Sequence, residues 1–253
     1  MPACIIVVEG LAGAGKTNFL TFLRSSALAA KYRLYVIESP LEAWQNVDNV
    51  DLLHAFHSNP ERFAFAFLSF VLTSRVATLQ THVYAHAGTS TPPTIFFVER
   101  CILTDIECWG KTLLANAIIT PWEMNILRQT YELLLARMPP VHGCIFLTAR
   151  VERTLRCIKA RRRDAESNIL TSRFQLELDT AYRRWLQALT IPSLTIDTIS
   201  LHQQPSSYVS SMHILREIDN FIQRIHEQSM TSSSFNTLSD DESESELEAE
   251  TSS

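Results

Sequence analysis

The apolar, largely β-branched run Cys4-Ile5-Ile6-Val7-Val8 passes through Glu9 into Gly10-Leu11-Ala12-Gly13-Ala14-Gly15-Lys16-Thr17, a complete G-x-x-x-x-G-K-T loop. Such a loop demands a strand before it and a helix after it, because its backbone N–H groups turn inward around a polyphosphate where the two meet. Gly10, Gly13 and Gly15 permit that turn, Lys16 brings a point charge to the outer phosphates, and the Thr17 hydroxyl is placed to join a Mg²⁺ shell. Thr17 is expected to open the first helix, and the chain is expected to bind a nucleotide.

Short apolar runs recur at Cys4–Val8, Leu34–Ile37, Ile95–Val98, Cys144–Leu147 and Leu194–Ile196, each followed by polar or charged residues. That rhythm predicts an α/β fold with a central parallel sheet of five strands flanked by helices. Helices are predicted from Pro60 to about His82, from Thr120 to before Pro139-Pro140, from Val151 to the cluster Arg161-Arg162-Arg163, and over Ser172–Leu189 and Ser207–Glu227. The second carries the clearest start signal: Thr120 as N-cap, Pro121 first and Glu123 third form a capping box. In the last, Met212, Leu215, Ile218, Phe221, Ile222 and Ile225 fall at three- and four-residue steps, so it is expected to pack on the body. Ligands of such sheets bind beyond the carboxyl ends of the strands.

The 253 residues, 46% of them hydrophobic, suffice for one domain with a large core. No run reaches the roughly 18 to 20 uninterrupted apolar residues of a membrane span, and the start lacks the pattern of a secretory signal. Five cysteines without C-x-x-C spacing suit core thiols in a reducing compartment. A soluble cytoplasmic protein is therefore expected, contacting neither membrane nor nucleic acid. The net charge of −5 is uneven: Ser239–Glu250 carries seven acids and no base, which leaves the remainder at +2. Residues 229–253, rich in Ser, Thr and acids, are expected to be a disordered tail, and 1–228 the folded domain. The tail is either solubilising or, through serines open to phosphorylation, a surface for a protein partner.

Three strand ends and one helix end carry the remaining chemistry: Glu38-Ser39-Pro40-Leu41-Glu42-Ala43-Trp44, Glu99-Arg100, and Arg161-Arg162-Arg163-Asp164-Ala165-Glu166. With the phosphate loop, their order and spacing resemble the deoxynucleoside kinase family over about residues 3 to 200. That family follows its second strand with E-P-x-x-x-W and its third with E-R-S, and carries an R-x-x-x-R-x-R-x-E-E lid. The resemblance implies a P-loop kinase fold with an arginine-rich lid, moving the γ-phosphoryl group of ATP to the 5′-hydroxyl of a deoxynucleoside. It places Arg161 and Arg163 on the lid, Glu166 near the sugar 3′-hydroxyl, and Arg100 at the 5′ end of the nucleoside, with Glu99 beside it to help with Mg²⁺ or with orientation. Trp44 falls at the family's tryptophan. Arg75 and Asp105 match a pair that favours a base with an amino or keto group over thymine. It also implies a homodimer as one use of an apolar helix such as Trp122–Met138, with core packing as the other.

The match has departures. Leu68 stands where a glutamine usually reads the base edge, His57 where a sugar-binding tyrosine is usual, and Cys157 where the first lid arginine is expected, with Arg156 and Lys159 nearby. The family's catalytic glutamate position holds Ser39, with Glu38 one residue earlier. Side chains alternate along a strand, so Glu38 reaches the nucleoside only if the strand end kinks, which Pro40 favours. On that reasoning Glu38 is the expected general base, with Glu42 and Glu99 as the other carboxylates in range. Two further readings stay open: a thymidylate-kinase-like nucleoside monophosphate kinase, for which Arg75 or Arg100 would meet the 5′-phosphate, and a catalytically weakened nucleotide-binding interaction protein.

Overall fold

The structure, a computed structural model, describes residues 3–86, 92–161, 163, 165–198 and 212–228. The five apolar runs form strands β1 Cys4–Glu9, β2 Arg33–Ile37, β3 Thr94–Glu99, β4 Gly143–Thr148 and β5 Ser193–Asp197. They join in one parallel sheet of order β2-β3-β1-β4-β5. Val8 lies opposite Glu99 and Glu9 opposite Phe146, so the carboxyl ends of β1, β3 and β4 finish level beneath the phosphate loop.

Residues of period two feed both faces of this sheet. Cys4, Ile6 and Val8 pack on one side with Ile95, Phe97 and Ile145, and Ile5 and Val7 on the other with Phe96, Val98 and Cys144. Burial on both faces explains why these strands read as continuous apolar runs rather than alternating ones.

The helices are α1 Lys16–Arg24, α2 Leu28–Lys31, α3 Leu41–Gln45, α4 Leu52–Ser58, α5 Pro60–His86 and α6 Ile102–Thr104. A π-helical turn over Asp105–Gly110 follows, then α7 Lys111–Ala115, α8 Pro121–Leu135, α9 Val151–Ala160, α10 Glu166–Ile169 and α11 Ser172–Gln187. A last helix, α12, spans 212–228. The capping box forms as expected: the Thr120 N–H donates to Glu123 Oε2 at 2.7 Å, and the Thr120 hydroxyl accepts from the Glu123 N–H. Helix α5 runs four residues beyond its expected end and buries a stripe of Ala64, Phe67, Leu68, Val71, Leu72, Val76, Leu79 and Val83 at helical spacing. By length and composition it is also the one described helix apolar enough to cross a bilayer. On α12 the buried face starts at Ile214; Met212, expected there, is exposed. Asp219 ties that helix down by accepting from Lys31 Nζ at 2.6 Å and from the Tyr32 hydroxyl at 2.7 Å.

The short helices α2, α3, α4, α6, α7 and α10 and the π turn escape a reading by periodicity, because fewer than two turns carry no repeat. Residues 207–211 of the expected last helix and the acidic tail at 229–253 lie outside the described residues. All five cysteines are free thiols, and Cys4, Cys101, Cys108 and Cys144 are buried.

Candidate active site

The phosphate loop leaves β1 in the conformation its glycines permit: φ is +142° at Gly10, +81° at Gly13 and +94° at Gly15. Close approach adds a second constraint. A Cβ on Gly10 would stand 2.6 Å from the Leu147 carbonyl oxygen, and one on Gly13 would stand 2.5 Å from that of Thr154. The loop is thus pressed against the end of β4 and the first turn of α9. From α11, the buried Gln175 donates to the Ala12 carbonyl at 3.0 Å and holds the loop from above. Lys16 opens α1, is buried, and donates to the carbonyls of Gly10 and Leu11, both at 2.9 Å. Burial, and then the Arg100 guanidinium, push its ammonium well below the ordinary lysine range. The Thr17 hydroxyl donates to Glu99 Oε1 at 3.3 Å. First-strand and third-strand chemistry meet there.

The end of β3 is held by groups that the motifs did not reveal. Arg100 sits at φ +66°, a left-handed conformation costing a side chain about 1–2 kcal/mol. Its N–H donates to the Val8 carbonyl at 3.1 Å, and its guanidinium donates to the Tyr182 hydroxyl of α11 at 2.6 Å while lying over the Trp109 ring at 5.3 Å. The Tyr182 hydroxyl donates onward to Glu9 Oε2 at 3.4 Å. The other Glu9 oxygen accepts from the Cys101 N–H at 2.9 Å and the Thr104 hydroxyl at 2.8 Å. Burial pushes the Glu9 carboxyl up, with Arg100 the main opposing influence. A charged residue closing an apolar strand just before the phosphate loop was the available signal for Glu9; Tyr182, Trp109 and Gln175 left none.

Beyond these strand ends opens a cleft of about 490 Å³. One wall is apolar and aromatic, with Trp44, Leu53, Phe56, Phe67, Leu68 and Val71. Phe56 and Phe67 stack with centroids 4.7 Å apart, and the Trp44 indole donates to the Ser74 hydroxyl at 2.8 Å. His57 Nδ1 donates to the Leu53 carbonyl at 2.8 Å. Burial lowers the pKa of this ring, so it is neutral with Nε2 left as an acceptor. Across from it, Arg163 meets Glu166 at 3.2 Å, and Glu166 Oε2 is buried with no hydrogen-bond partner among the described residues. Arg161 completes that rim. Arg162 and Asp164 lie outside the described residues.

Arg75 of α5 and Asp105 of the π turn do meet. Their Nε and Oδ2 atoms are 2.8 Å apart, an ion pair too oblique to count as a hydrogen bond. Arg75 also donates to the Ser39 hydroxyl at 3.1 Å and the Glu99 carbonyl at 2.9 Å, which draws its guanidinium to the strand ends. Burial pushes the Asp105 carboxyl up, against the pull of Arg75 and Arg100.

Glu38, expected as the general base, does not line this cleft. Its exposed carboxylate meets Arg24 at 3.2 Å and borders a separate crevice of about 20 Å³ with Ile37 and Pro40. Past the end of β2 the Ser39 hydroxyl is held in the cleft by Arg75 and the Glu99 carbonyl, while Glu38 is held outside it by Arg24. Glu42 is exposed on α3 and also outside the cleft. Lys16, Thr17, Trp44, His57, Leu68, Arg75, Glu99, Arg100, Asp105, Arg161, Arg163 and Glu166 do line it, as does Gly13. Among the described residues no group of three His, Cys, Asp or Glu side chains is placed to hold a metal. The Thr17–Glu99 pair nevertheless suits a small hard cation that takes its other ligands from phosphates and water.

A family profile described as Deoxynucleoside kinase matches residues 6–223. The chain belongs to the deoxynucleoside kinase family. This kinase is 23% identical to deoxycytidine kinase of Mus musculus over 220 residues, covering 76% of this chain and 82% of the relative. It is likewise 23% identical to deoxycytidine kinase 1 of Xenopus laevis, covering 76% and 81%. Against deoxyguanosine kinase of Bacillus subtilis (strain 168) it is 25% identical over 199 residues, covering 78% and 86%. As a deoxynucleoside kinase it is an ATP-dependent phosphotransferase that works with a divalent metal.

Proposed function

We propose that this kinase carries the γ-phosphoryl group of ATP to the 5′-hydroxyl of a deoxynucleoside lying in the cleft, with Mg²⁺ as the metal. The observation that carries this reading is the convergence on one cleft of the loop residues Lys16 and Thr17, the arginines Arg100, Arg161 and Arg163, and a carboxylate with an unpartnered buried oxygen, Glu166. Phosphoryl transfer asks the protein mainly for positioning and charge neutralisation. The loop N–H groups and Lys16 hold the polyphosphate, while Arg161 and Arg163 neutralise charge on the moving group. Thr17 and Glu99 would hold Mg²⁺, which shields the negative charge of the β- and γ-phosphates. Arg100 orients the 5′ end, and Glu166 Oε2 accepts from a sugar hydroxyl beside His57. The aromatic wall of Trp44, Phe56 and Phe67 takes the base, with Leu68 offering it no hydrogen bond. The Asp105–Arg75 pair favours a base bearing an amino or keto group, in keeping with relatives named for deoxycytidine and deoxyguanosine. With Glu38 turned away, Glu99, which takes the Thr17 hydroxyl and would help to hold Mg²⁺, is the remaining cleft carboxylate without an ion pair among the described residues and is the candidate to receive the alcohol proton.

Residues 1–228 form the kinase domain on this reading, and 229–253 an acidic tail open to a protein partner. Five free thiols suit a reducing compartment such as the cytoplasm. The outward face of α8 is assigned to a second copy of the chain. The test of the activity is labelled ATP with each of the four deoxynucleosides, read for monophosphate. Product from deoxycytidine or deoxyguanosine above thymidine is expected; no product from any of them removes the reading.

A further inference from the structure

The cleft is rich in cations, two of them, Arg75 and Arg100, at its acceptor end, and it is short of a free base. Among the described residues that line the cleft, five cations, Lys16, Arg75, Arg100, Arg161 and Arg163, face three carboxylates, Glu99, Asp105 and Glu166. Two of those carboxylates are already paired, Asp105 with Arg75 and Glu166 with Arg163. The third, Glu99, takes the Thr17 hydroxyl. Glu9, close behind, is fully buried and engaged by Cys101, Thr104 and Tyr182. Two residues past the end of β2 the chain turns the Ser39 hydroxyl to the cleft, and that oxygen accepts from Arg75. One nitrogen of the Arg75 guanidinium is anchored on Ser39 and the Glu99 carbonyl and another faces Asp105; among the described residues the third, Nη2, has no hydrogen-bond acceptor, and the guanidinium lies over the Trp44 ring at 4.9 Å.

This arrangement is poorly matched to an alcohol, which must give up a proton as it attacks, and well matched to an acceptor that is already an anion. We infer that the same site has a second activity, phosphorylation of deoxynucleoside 5′-monophosphates to diphosphates. The inference rests on the reading of the cleft as the acceptor site given above. A phosphate monoester has a second pKa near 6 and is largely dianionic at neutral pH. One of its oxygens forms the new bond to the γ-phosphorus while the bond from that phosphorus to the β–γ bridging oxygen breaks. The products are a nucleoside 5′-diphosphate and ADP. No proton has to leave the attacking oxygen, so the shortage of a base costs nothing, and Arg75 with Arg100 offset the charge that the acceptor brings. The small Ser39 side chain leaves the strand end open to the added group.

The test uses the full chain with ATP and Mg²⁺, offering each deoxynucleoside and each deoxynucleoside 5′-monophosphate in parallel and separating mono- and diphosphate products. Diphosphate is expected with kcat/KM within about tenfold of that for the matching nucleoside. Its pH profile should rise with the second ionisation of the acceptor near pH 6 and then stay flat, while the nucleoside profile carries no such step near pH 6. Ser39→Glu should move the two acceptors in opposite directions, lowering kcat/KM for monophosphate at least tenfold and raising it for nucleoside. Should that variant fail to fold, the wild-type acceptor panel and pH profiles decide alone. Nucleoside turnover with no diphosphate overturns this inference and leaves the kinase assignment standing. A parallel loss of both activities in a folded Ser39→Glu overturns it too, and absence of any product from either acceptor removes the parent reading along with it.

Discussion

Lys16 spends two of its three N–H donors on the carbonyls of Gly10 and Leu11 in a buried setting that disfavours its charge. A polyphosphate reverses that balance, so the lysine's contribution falls on the reaction rather than on folding. Lys16→Ala is expected to lower kcat by about 10²–10³ while leaving the melting temperature nearly unchanged, as checked by steady-state kinetics and calorimetry. Arg163 differs, because its partner Glu166 is 5% exposed. Arg163→Ala removes a donor to the moving phosphoryl group and also frees Glu166, the carboxylate assigned to the sugar. Both kcat and nucleoside KM should therefore worsen, whereas Arg161→Ala should act on kcat alone. His57 supplies a pH signature. Its folded pKa is lowered by burial, so between that value and the ordinary 6.5 the unfolded chain binds the additional proton. Stability then rises with pH through this window and is lost as pH falls across it. His142 and His226, also lowered, add slopes of the same sign. His57→Gln should make the fall in melting temperature from pH 7 to pH 5.5 shallower without abolishing it; an unchanged slope would mean that His57 does not titrate in this way.

The junction of β1, β3 and α11 shows how elements hold a strained residue in place. Arg100 occupies left-handed backbone because the chain must turn sharply from β3 into α6, and the Glu9–Tyr182–Arg100 chain fixes where its guanidinium points. Tyr182→Phe strands Arg100 and one Glu9 oxygen in a buried site, at a cost of about 1–3 kcal/mol. Urea unfolding should show that loss, and kcat should fall by more than KM rises, since Arg100 would be misplaced rather than removed. A variant destabilised but with normal kcat would make Tyr182 a packing residue only. Much at this scale could be read from the sequence. The loop motif, the five apolar runs and the Thr120–Glu123 box each carry their own local signal, and all appear as expected. The Arg75–Asp105 pair was placed by a spacing learned from a family, and it too meets. What failed was the aim of single side chains. Glu38 and Ser39 differ by one residue, and distant partners, Arg24 for one and Arg75 for the other, decide which of them sees the cleft. The hydrogen-bond partners of Arg100, Tyr182 and Val8, lie 82 or more residues away in sequence, beyond any periodic pattern.

At the scale of the whole molecule, the sheet covered on both faces leaves one region whose side chains contradict a solvent-facing role. The large apolar side chains exposed among the described residues are Val50, Tyr84, Trp122, Ile126, Leu133, Leu135, Leu176 and Met212; four of these eight lie on α8 and Tyr84 lies on α5, which packs beside it. Trp122, Ile126 and Leu133 share one face of α8, while Met124, Leu127 and Leu134 turn inward to the core. Core packing, one use foreseen for this helix, thus occupies one side of it, and the opposite side is the one proposed for pairing. None of the outward residues lines the cleft, so pairing through them leaves the acceptor site open. A two-fold contact sets the same patch against itself, and a stripe of large apolar groups on a regular helix suits that arrangement. The double variant Ile126→Lys, Leu133→Lys puts like charges on the facing patches and removes apolar area that solvent reaches in a single chain. Sedimentation velocity should show a dimer for the wild type and a monomer for the variant, with kcat per chain changed less than about twofold. Because both side chains are 43% exposed or more, a single folded copy should lose little stability on their replacement. A wild type that sediments as a monomer at tens of micromolar would leave the stripe as ordinary exposed surface and remove the second copy as its partner.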